Sequence, residues 1–365
     1  MKNAFIKVAL LLFVTLPFAG ASQAQSINYS KFGKGLQFIA ADSSFSTKIG
    51  FRFQTLYNGN YNLNTDNWSD QFMTRRARLK FDGFAYSPKV VYKFELGFSN
   101  RDTGGDLIRE TNFTSNIVLD AVVKWNFYRN FWLWAGQTKL PGNRERVISS
   151  QKLQFVDRSH LNSRFNLDRD AGLQLHHEHK TGNVVWREIA SVSMGNGRNV
   201  VTTNVHDEDF LGTTNLGGYD YTARIECLPF GKFESGGDYV GSDLAREETP
   251  KLSVAATYDF NDDAPRERGQ LGKFMSQQRD LRTVFVDAMF KYRGISVMAE
   301  YADRNAPDGS VVSYTETGSV KDAFYTGTAL NVQSGYLFKN NIEVAGRYTY
   351  VHPEDVTQRA DYNEY

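Results

Sequence analysis

From residue 46 onward, apolar and polar positions alternate one by one along most of the chain, with the period of two that is typical of β-strands. Residues 76–84 are representative. Their polar and apolar positions are Arg76, Arg78, Lys80 and Asp82 against Ala77, Leu79, Phe81 and Gly83. We count roughly fourteen such segments, the first near residues 48–57 and the last near residues 342–351. The chain is therefore predicted to be all-β and antiparallel.

The lengths of these segments and of their connections distinguish the chain from an ordinary β-sandwich. The candidate strands run roughly ten residues, enough to cross a bilayer at a tilt, whereas strands of globular proteins peak at about five or six. Short turns alternate with long polar connections, which is typical of outer-membrane barrels. The pattern favours a transmembrane β-barrel over a secreted sandwich or β-helix, which alternation alone would also fit. The long connections are expected near residues 58–70, 101–115, 196–218, 261–280 and 302–321.

The first 24 residues have the pattern of a secretory signal peptide. Lys2 and Lys7 give a positive start, residues 8–16 are largely apolar, and small residues follow Pro17. A membrane-spanning helix would need roughly 20 apolar residues. We therefore divide the chain into a signal peptide (1–24), an N-terminal periplasmic lead-in (25–45) and the barrel (46–365).

The last residues lack the alternation expected of a closing strand. Tyr365 is aromatic, but Arg359, Asp361 and Asn363 occupy the positions that should be apolar. We expect that the closing strands are missing and that the complete protein has about sixteen. The alternative is that the segment near residues 342–351 is the last strand and that a periplasmic tail follows it.

Composition and motifs exclude several classes of function. Lys plus Arg number 42 against 41 Asp plus Glu, so no cationic surplus supports nucleic-acid binding. The single Cys227 excludes an internal disulfide, and its place on an apolar face makes it a lipid-facing residue. No glycine-rich phosphate loop, HExxH or GxSxG motif is present, so we expect neither an enzyme nor a cofactor.

The sequence His-His-Glu-His at residues 176–179 is the one cluster with metal-ligating side chains. On a strand, His176 and Glu178 face opposite to His177 and His179. Two ligands on a face do not complete a metal site, so no metal is expected.

The charged faces of the strands predict the chemistry of the interior. If the apolar faces meet lipid, the cations must face enclosed water, because Lys or Arg facing lipid near the midplane costs about 2–4 kcal/mol. Rings of basic residues in a narrow pore attract anions. Acidic residues fall on the same faces, so a mixed-charge wall of a general porin remains the alternative. They are Glu95, Asp120, Glu226, Asp287, Glu300 and Glu343.

Two blocks of sequence resemble the phosphate-selective porin O/P family. The first reads Arg-Arg-Ala-Arg-Leu at residues 75–79, followed by Tyr-Lys-Phe-Glu at 92–95. The second reads Trp-Ala-Gly-Gln-Thr-Lys-Leu-Pro at 134–141, then Glu-Arg-Val-Ile-Ser-Ser at 145–150 and Phe-Val-Asp-Arg-Ser at 155–159. In pattern, the resemblance covers most of the mature chain.

The resemblance implies a sixteen-stranded barrel, usually trimeric, whose third long loop folds inward and narrows the pore. It also implies a ladder of lumenal arginines that leads to a cationic constriction. Arg75 and Arg76 match the family's paired arginines on the second strand, Arg146 its basic constriction residue and Arg158 its second basic residue. The chain departs from the family at Asn143-Arg144, where Phe-Gly is more usual.

Together, pattern and resemblance predict an outer-membrane porin of a Gram-negative bacterium, without nucleic acid as a partner. It would sit in outer-membrane lipid, form a homotrimer and pass small hydrophilic solutes, preferring anions such as phosphate or polyphosphate. The alternatives are a non-conducting structural or adhesive barrel and a secreted soluble β-protein. The residues expected to line the pore or bind anions are Arg52, Arg75, Arg76, Arg78, Lys80, Lys93, Lys124, Lys139, Arg146, Arg158 and Arg224.

Overall fold

A computed structural model describes residues 24–28, 35–103, 117–198, 206–207, 210–211, 218–307 and 311–365. The predicted signal peptide lies outside these residues except for Ala24. No helix among the described residues is long and apolar enough to cross a bilayer.

Sixteen strands form one antiparallel sheet in which each strand pairs with its neighbours in chain order. They are β1 (Ala24–Asn28), β2 (Leu36–Ala40), β3 (Phe45–Asn62), β4 (Asn67–Ala85), β5 (Ser87–Gly97), β6 (Val118–Tyr128), β7 (Phe131–Lys139), β8 (Arg169–Thr181), β9 (Val184–Ser193), β12 (Asp220–Leu228), β13 (Lys251–Arg266), β14 (Phe274–Tyr292), β15 (Ile295–Asn305), β18 (Gly327–Leu337), β19 (Glu343–Pro353) and β20 (Tyr362–Glu364). Two small hairpins are β10 (His206–Asp207) with β11 (Phe210–Leu211) and β16 (Val312–Tyr314) with β17 (Val320–Ala323). The helices are α1 (Asn100–Thr103), α2 (Arg144–Val147) and α3 (His160–Phe165), and 3-10 turns cover Glu234–Tyr239 and Asp355–Thr357.

The antiparallel all-β architecture predicted from the alternation is confirmed, and the sheet itself contains sixteen strands. The first and last segments read from the sequence correspond to β3 and β19. Residues 25–45, predicted as a lead-in, contribute β1 and β2 to the sheet. Within the described residues, β1 and β20 are not hydrogen-bonded to each other.

The sheet has its polar residues inside and its apolar residues outside, the reverse of a soluble protein. On β14, Asp287 is 1% exposed whereas the adjacent Val286 is 45% exposed. On β3, Phe51 and Phe53 are exposed on either side of the inward-facing Arg52. Since a barrel in lipid must show apolar side chains outward, this sorting is the one that a membrane requires.

The segment 140–168, between β7 and β8, folds into the space that the sheet surrounds. Gln154 donates to Glu343 of β19, and the carbonyl of Val156 accepts from Arg76 of β4. Arg144 donates to Asp287 of β14. Strands far apart in the sheet order thus contact one short segment, so the sheet curls around it. This confirms the predicted inward-folded constriction loop.

A second segment, residues 229–250, enters the lumen from the end with the short turns. The hydroxyl of Tyr239 donates to Glu226 Oε1, and Nζ of Lys291 donates to the carbonyl of Ser242 at 2.6 Å. The amide of Gly241 donates to the carbonyl of Lys152 at 2.7 Å. The two inserted segments therefore meet inside the barrel.

Two predicted connections are wrong. Residues 261–280 were expected as a long loop, but β13 and β14 extend into them and leave only residues 267–273 between the strands. Residues 58–70 were expected as a long polar loop, but β3 and β4 continue through them and leave residues 63–66 as the turn. Side chains on both faces of this hairpin are exposed. Because neither face of this hairpin is buried, polar and apolar residues do not alternate along it, and the strands could not be recognised from the sequence.

Candidate pore constriction

The constriction segment, residues 140–168, leaves a cavity on each side of it. The outer cavity, toward the long connections, has a volume of about 400 Å³, and the inner cavity, toward the short turns, about 490 Å³. Eight arginines and three aspartates line the outer cavity: Arg75, Arg76, Arg78, Arg146, Arg158, Arg169, Arg198 and Arg268, with Asp102, Asp157 and Asp168. Nine basic and two acidic residues line the inner cavity: Arg78, Lys80, Lys93, Lys124, Lys139, Lys152, Arg169, Arg187 and Arg224, with Glu95 and Asp120.

A β-bulge turns two consecutive arginines into the lumen. Gln54 pairs with Arg76 and Thr55 with Thr74, which leaves Arg75 as an extra residue in β4. A bulge re-aims the side chain that it inserts. Nε of Arg75 donates to Asp157 Oδ1 at 2.9 Å, and Arg76 lies 3.5 Å from the same oxygen. Both residues therefore line the outer cavity, although strict alternation would put them on opposite faces.

Arg146 and Arg158 belong to the constriction segment itself. Arg146, in α2, forms an ion pair with Asp168. Arg158 donates from Nε to the carbonyl of Glu145 and from a terminal nitrogen to that of Ile148, both at 2.8 Å. Both side chains line the outer cavity, as the resemblance implied.

Burial and the charges of neighbouring arginines both lower the pKa values of these two arginines. Burial lowers the pKa of Arg158 to about 10. Burial, followed by the charges of Arg158, Arg169 and other arginines, holds the pKa of Arg146 well below its usual range. Arginine remains protonated at neutral pH even so. The excess of positive charge at this cavity follows from its lining of eight arginines and three aspartates, and it is the electrostatic condition for attracting an anion.

Lys139, another predicted anion-binding residue, lies against the inner cavity and holds the backbone. Its Nζ donates to the carbonyls of Arg146, Val147 and Ile148, at 2.7, 3.1 and 3.1 Å. These carbonyls come at the end of α2, where the helix leaves its acceptors unsatisfied. Lys139 therefore fixes the constriction segment to the end of β7.

Arg78 lies where the two cavities meet and lines both. It donates to Asp102 Oδ1 at 2.6 Å and to Glu95 Oε1 at 3.2 Å. Arg78 and Arg52 both reach the hydroxyl of Ser150 in the constriction segment, at 3.2 and 2.7 Å. The predicted lumenal positions of Arg52 and Arg78 are found, and acidic partners take up part of the charge of Arg78.

On the inner side, Lys93 and Lys80 are also paired with acidic residues. Nζ of Lys93 lies 2.8 Å from Asp120 Oδ2 and 3.1 Å from Glu95 Oε2. Lys80 forms an ion pair with Asp82. The mixed-charge wall expected from the sequence is therefore present on this side.

Lys124 is in a different environment. Its Nζ lies 3.4 Å from the centre of the Trp134 ring, and His176 stacks on the same ring with centroids 3.9 Å apart. The attraction between a cation and an aromatic face fixes the position of the cation. Lys124 thus lines the inner cavity, and its contact with the Trp134 ring fixes its position.

Arg224 and Arg144 attach the constriction segment to the barrel wall. Arg224, on β12, donates to Asp287 Oδ2 at 2.6 Å and to the carbonyl of Gly142 at 2.9 Å. Arg144 donates from Nε to Asp287 Oδ1 at 2.7 Å and from a terminal nitrogen to Ser253 Oγ at 2.8 Å. Both side chains are buried. Arg144, where the chain departs from the resembled family, thus anchors the segment.

Several lining residues were not found from the sequence. Arg169 lines both cavities from the first position of β8, just beyond the constriction segment. Arg187 lines the inner cavity, but the outward-facing Glu188 beside it on β9 interrupts the alternation that would have revealed it. Arg198 and Arg268 reach the outer cavity from connections, where alternation gives no signal.

Comparison with known proteins places this geometry in a wider context. A family model described as phosphate-selective porin O and P matches residues 47–356. A search among curated proteins found no match. Similar solved structures include the outer membrane channel DcaP of Acinetobacter baumannii (14% identity, TM-score 0.42, covering 86% of this chain and 80% of that one). Others are OccAB1 of Acinetobacter baumannii (12%, 0.36, 89% and 83%) and outer-membrane expressed OmpT of Vibrio cholerae (9%, 0.39, 90% and 90%).

Proposed function

The chain belongs to the phosphate-selective porin O and P family and is an outer-membrane channel, and from this premise we propose that its lumen prefers small anions, phosphate among them. The observation that carries the proposal is the lining of the outer cavity, where eight arginines face three aspartates. A confined, low-dielectric wall focuses such an excess of one charge and raises the local concentration of the opposite ion.

The proposed path begins at Arg75 and Arg76 and passes Arg146 and Arg158 at the constriction. Arginine suits this path because its planar fork binds two phosphate oxygens at once and stays charged. Each of these arginines already shares its donors with a carboxylate or a carbonyl of the protein. Partial occupation weakens each site, so an anion can leave as well as enter, which conduction requires.

Beyond Arg78 the path continues in the inner cavity along Lys93 and Lys124. We propose that the anion is bound more weakly in this cavity, because Lys93 is closely paired with Asp120. A lysine is a compact point charge and does not offer the bidentate fork of arginine. Weaker sites on the exit side favour release.

Assembly and export are part of the same proposal. We expect three copies to associate, as the family resemblance implies, and the segment 1–24 to be removed on export, as its pattern indicates.

The test is the block of chloride current by added phosphate across planar lipid bilayers. For the double variant Arg146→Gln and Arg158→Gln, we expect the half-blocking phosphate concentration to rise by about tenfold or more, because hydrogen bonds to charged groups contribute about 1.5–3 kcal/mol each. Unitary chloride conductance should change less.

The matched control is Arg293→Gln, which removes an arginine from an exposed turn outside both cavities. It should leave phosphate block as in the original protein. An equal half-blocking phosphate concentration in the original protein, the double variant and the control would contradict the proposed constriction. A folded preparation without conductance would instead favour the plugged, non-conducting barrel.

A further inference from the structure

Three metal-ligating side chains meet on the outward face of the barrel, near the end with the short turns. His177 and His179 of β8 point the same way, and Glu188 of β9 lies directly opposite His177 in the strand register. One ligand atom of each residue lies within 4.8 Å of the other two. The side chains are 27%, 42% and 39% exposed, so solutes outside the barrel can reach them.

The carboxylate of Glu188 lies between the two imidazole rings. Its Oε2 is 3.0 Å from Nδ1 of His177, and its Oε1 is 3.3 Å from Nδ1 of His179. Nδ1 of His179 is shielded from solvent and makes no hydrogen bond, in spite of that short distance. Burying a polar atom without a hydrogen bond costs free energy unless another partner, such as a metal ion, binds that atom.

The three ligand atoms lie near the spacing that a tetrahedral metal ion needs. Bonds of 2.0–2.2 Å at the tetrahedral angle put neighbouring ligand atoms roughly 3.3–3.5 Å apart. Glu188 contacts the two imidazole nitrogens through different oxygens, at 3.0 and 3.3 Å, and all three ligand atoms lie within 4.8 Å of one another, so the side chains must move closer together to bind one ion at this spacing. The ring of Phe131 stacks on His177 with centroids 4.1 Å apart, which restricts the orientation of that ligand.

We infer that His177, His179 and Glu188 form a binding site for a divalent transition-metal ion of the Zn²⁺ type. Two imidazoles and one carboxylate suit Zn²⁺, whereas Mg²⁺ and Ca²⁺ prefer oxygen ligands alone. Three protein ligands leave the fourth position open to water. The ion joins β8 to β9 close to their turn, so it clamps this hairpin at the rim of the barrel.

The experiment is a calorimetric titration of the purified, detergent-solubilised protein with ZnCl₂, and with MgCl₂ for comparison. The protein must carry no polyhistidine tag. We expect saturable binding of one Zn²⁺ per chain and no binding of Mg²⁺. His179→Gln and Glu188→Gln should each weaken Zn²⁺ binding at least tenfold, the usual effect of losing one of three ligands.

The matched control is His176→Gln, since His176 lies in the same run of histidines but stacks on Trp134 inside the lumen. It should bind Zn²⁺ like the original protein. Resistance of each variant to SDS at room temperature verifies folding. Equal Zn²⁺ affinity in all variants would overturn the inference.

A measurement on the unaltered protein keeps the inference testable if a variant does not fold. Added Co²⁺ should give the intense visible absorption of tetrahedral coordination, and Zn²⁺ should abolish it by competition. Absence of that absorption in the unaltered protein would also overturn the site.

Discussion

The lumenal cations of this channel include some that anchor the constriction segment and others that line the outer cavity. Arg144, Arg224 and Lys139 donate to buried carboxylates or carbonyls and hold the constriction segment in place. Arg146 and Arg158 line the outer cavity among more arginines than aspartates. Arg146 and Arg158 also contact a carboxylate and two carbonyls, but the arginines around the outer cavity outnumber the aspartates, so positive charge remains to attract a passing anion. An arginine in a porin sequence therefore has to be assigned by its contacts and not by its face alone.

We predict that Arg144→Met destabilises the folded barrel. The guanidinium is fully buried, and its loss removes one of the two cations that contact Asp287. Breaking a buried ion pair by removing one partner costs about 3–5 kcal/mol. The temperature at which the SDS-resistant form converts to the unfolded form should fall. Arg129→Met, at an exposed turn, is the control and should convert as the original does, whereas equal temperatures for both variants would contradict an anchoring role.

The strands themselves could be predicted from the sequence because lipid and enclosed water impose opposite demands on their two faces. Where one face is not covered, as at residues 58–70, the alternation disappears and the prediction fails. Alternation also cannot reveal an inserted residue, so the inward position of Arg75 came from the family resemblance and not from the pattern.

The position of Glu188 beside His177 and His179 was equally invisible in the sequence. A strand shows which of its own residues share a face, but the partner residue depends on the register of the next strand. That register brings a carboxylate from β9 to two histidines of β8. The sequence placed two possible ligands on one face, and the third, Glu188, is identified only from the pairing of β8 with β9.

The turn between β14 and β15 provides a test of the hairpin geometry. Gly294 has φ +91°, and a Cβ there would lie 2.6 Å from the carbonyl oxygen of Leu337. A side chain in this conformation costs about 1–3 kcal/mol. We predict that Gly294→Ala lowers the SDS conversion temperature. Gly346→Ala is the matched control, because nothing lies within 4 Å of its added Cβ. A smaller effect at Gly294 than at Gly346 would contradict the close approach.

At the scale of the whole molecule, the barrel is organised around a polar interior that two segments enter from opposite ends. The constriction segment was predicted from the family resemblance, whereas nothing in the sequence pattern indicated that residues 229–250 also fold inward. A backbone hydrogen bond from Gly241 to Lys152 joins the two segments inside the barrel. The passage for solutes is therefore shaped jointly by both segments and lined mainly by basic residues.

The most direct test of the anion-preferring lumen is the zero-current potential of the unaltered channel under a KCl gradient across a planar bilayer. We predict a potential of the sign set by chloride, because the cations that line both cavities outnumber the acidic residues. The prediction applies at low salt, where screening is weakest. A potential of the sign set by potassium would contradict an anion-preferring lumen.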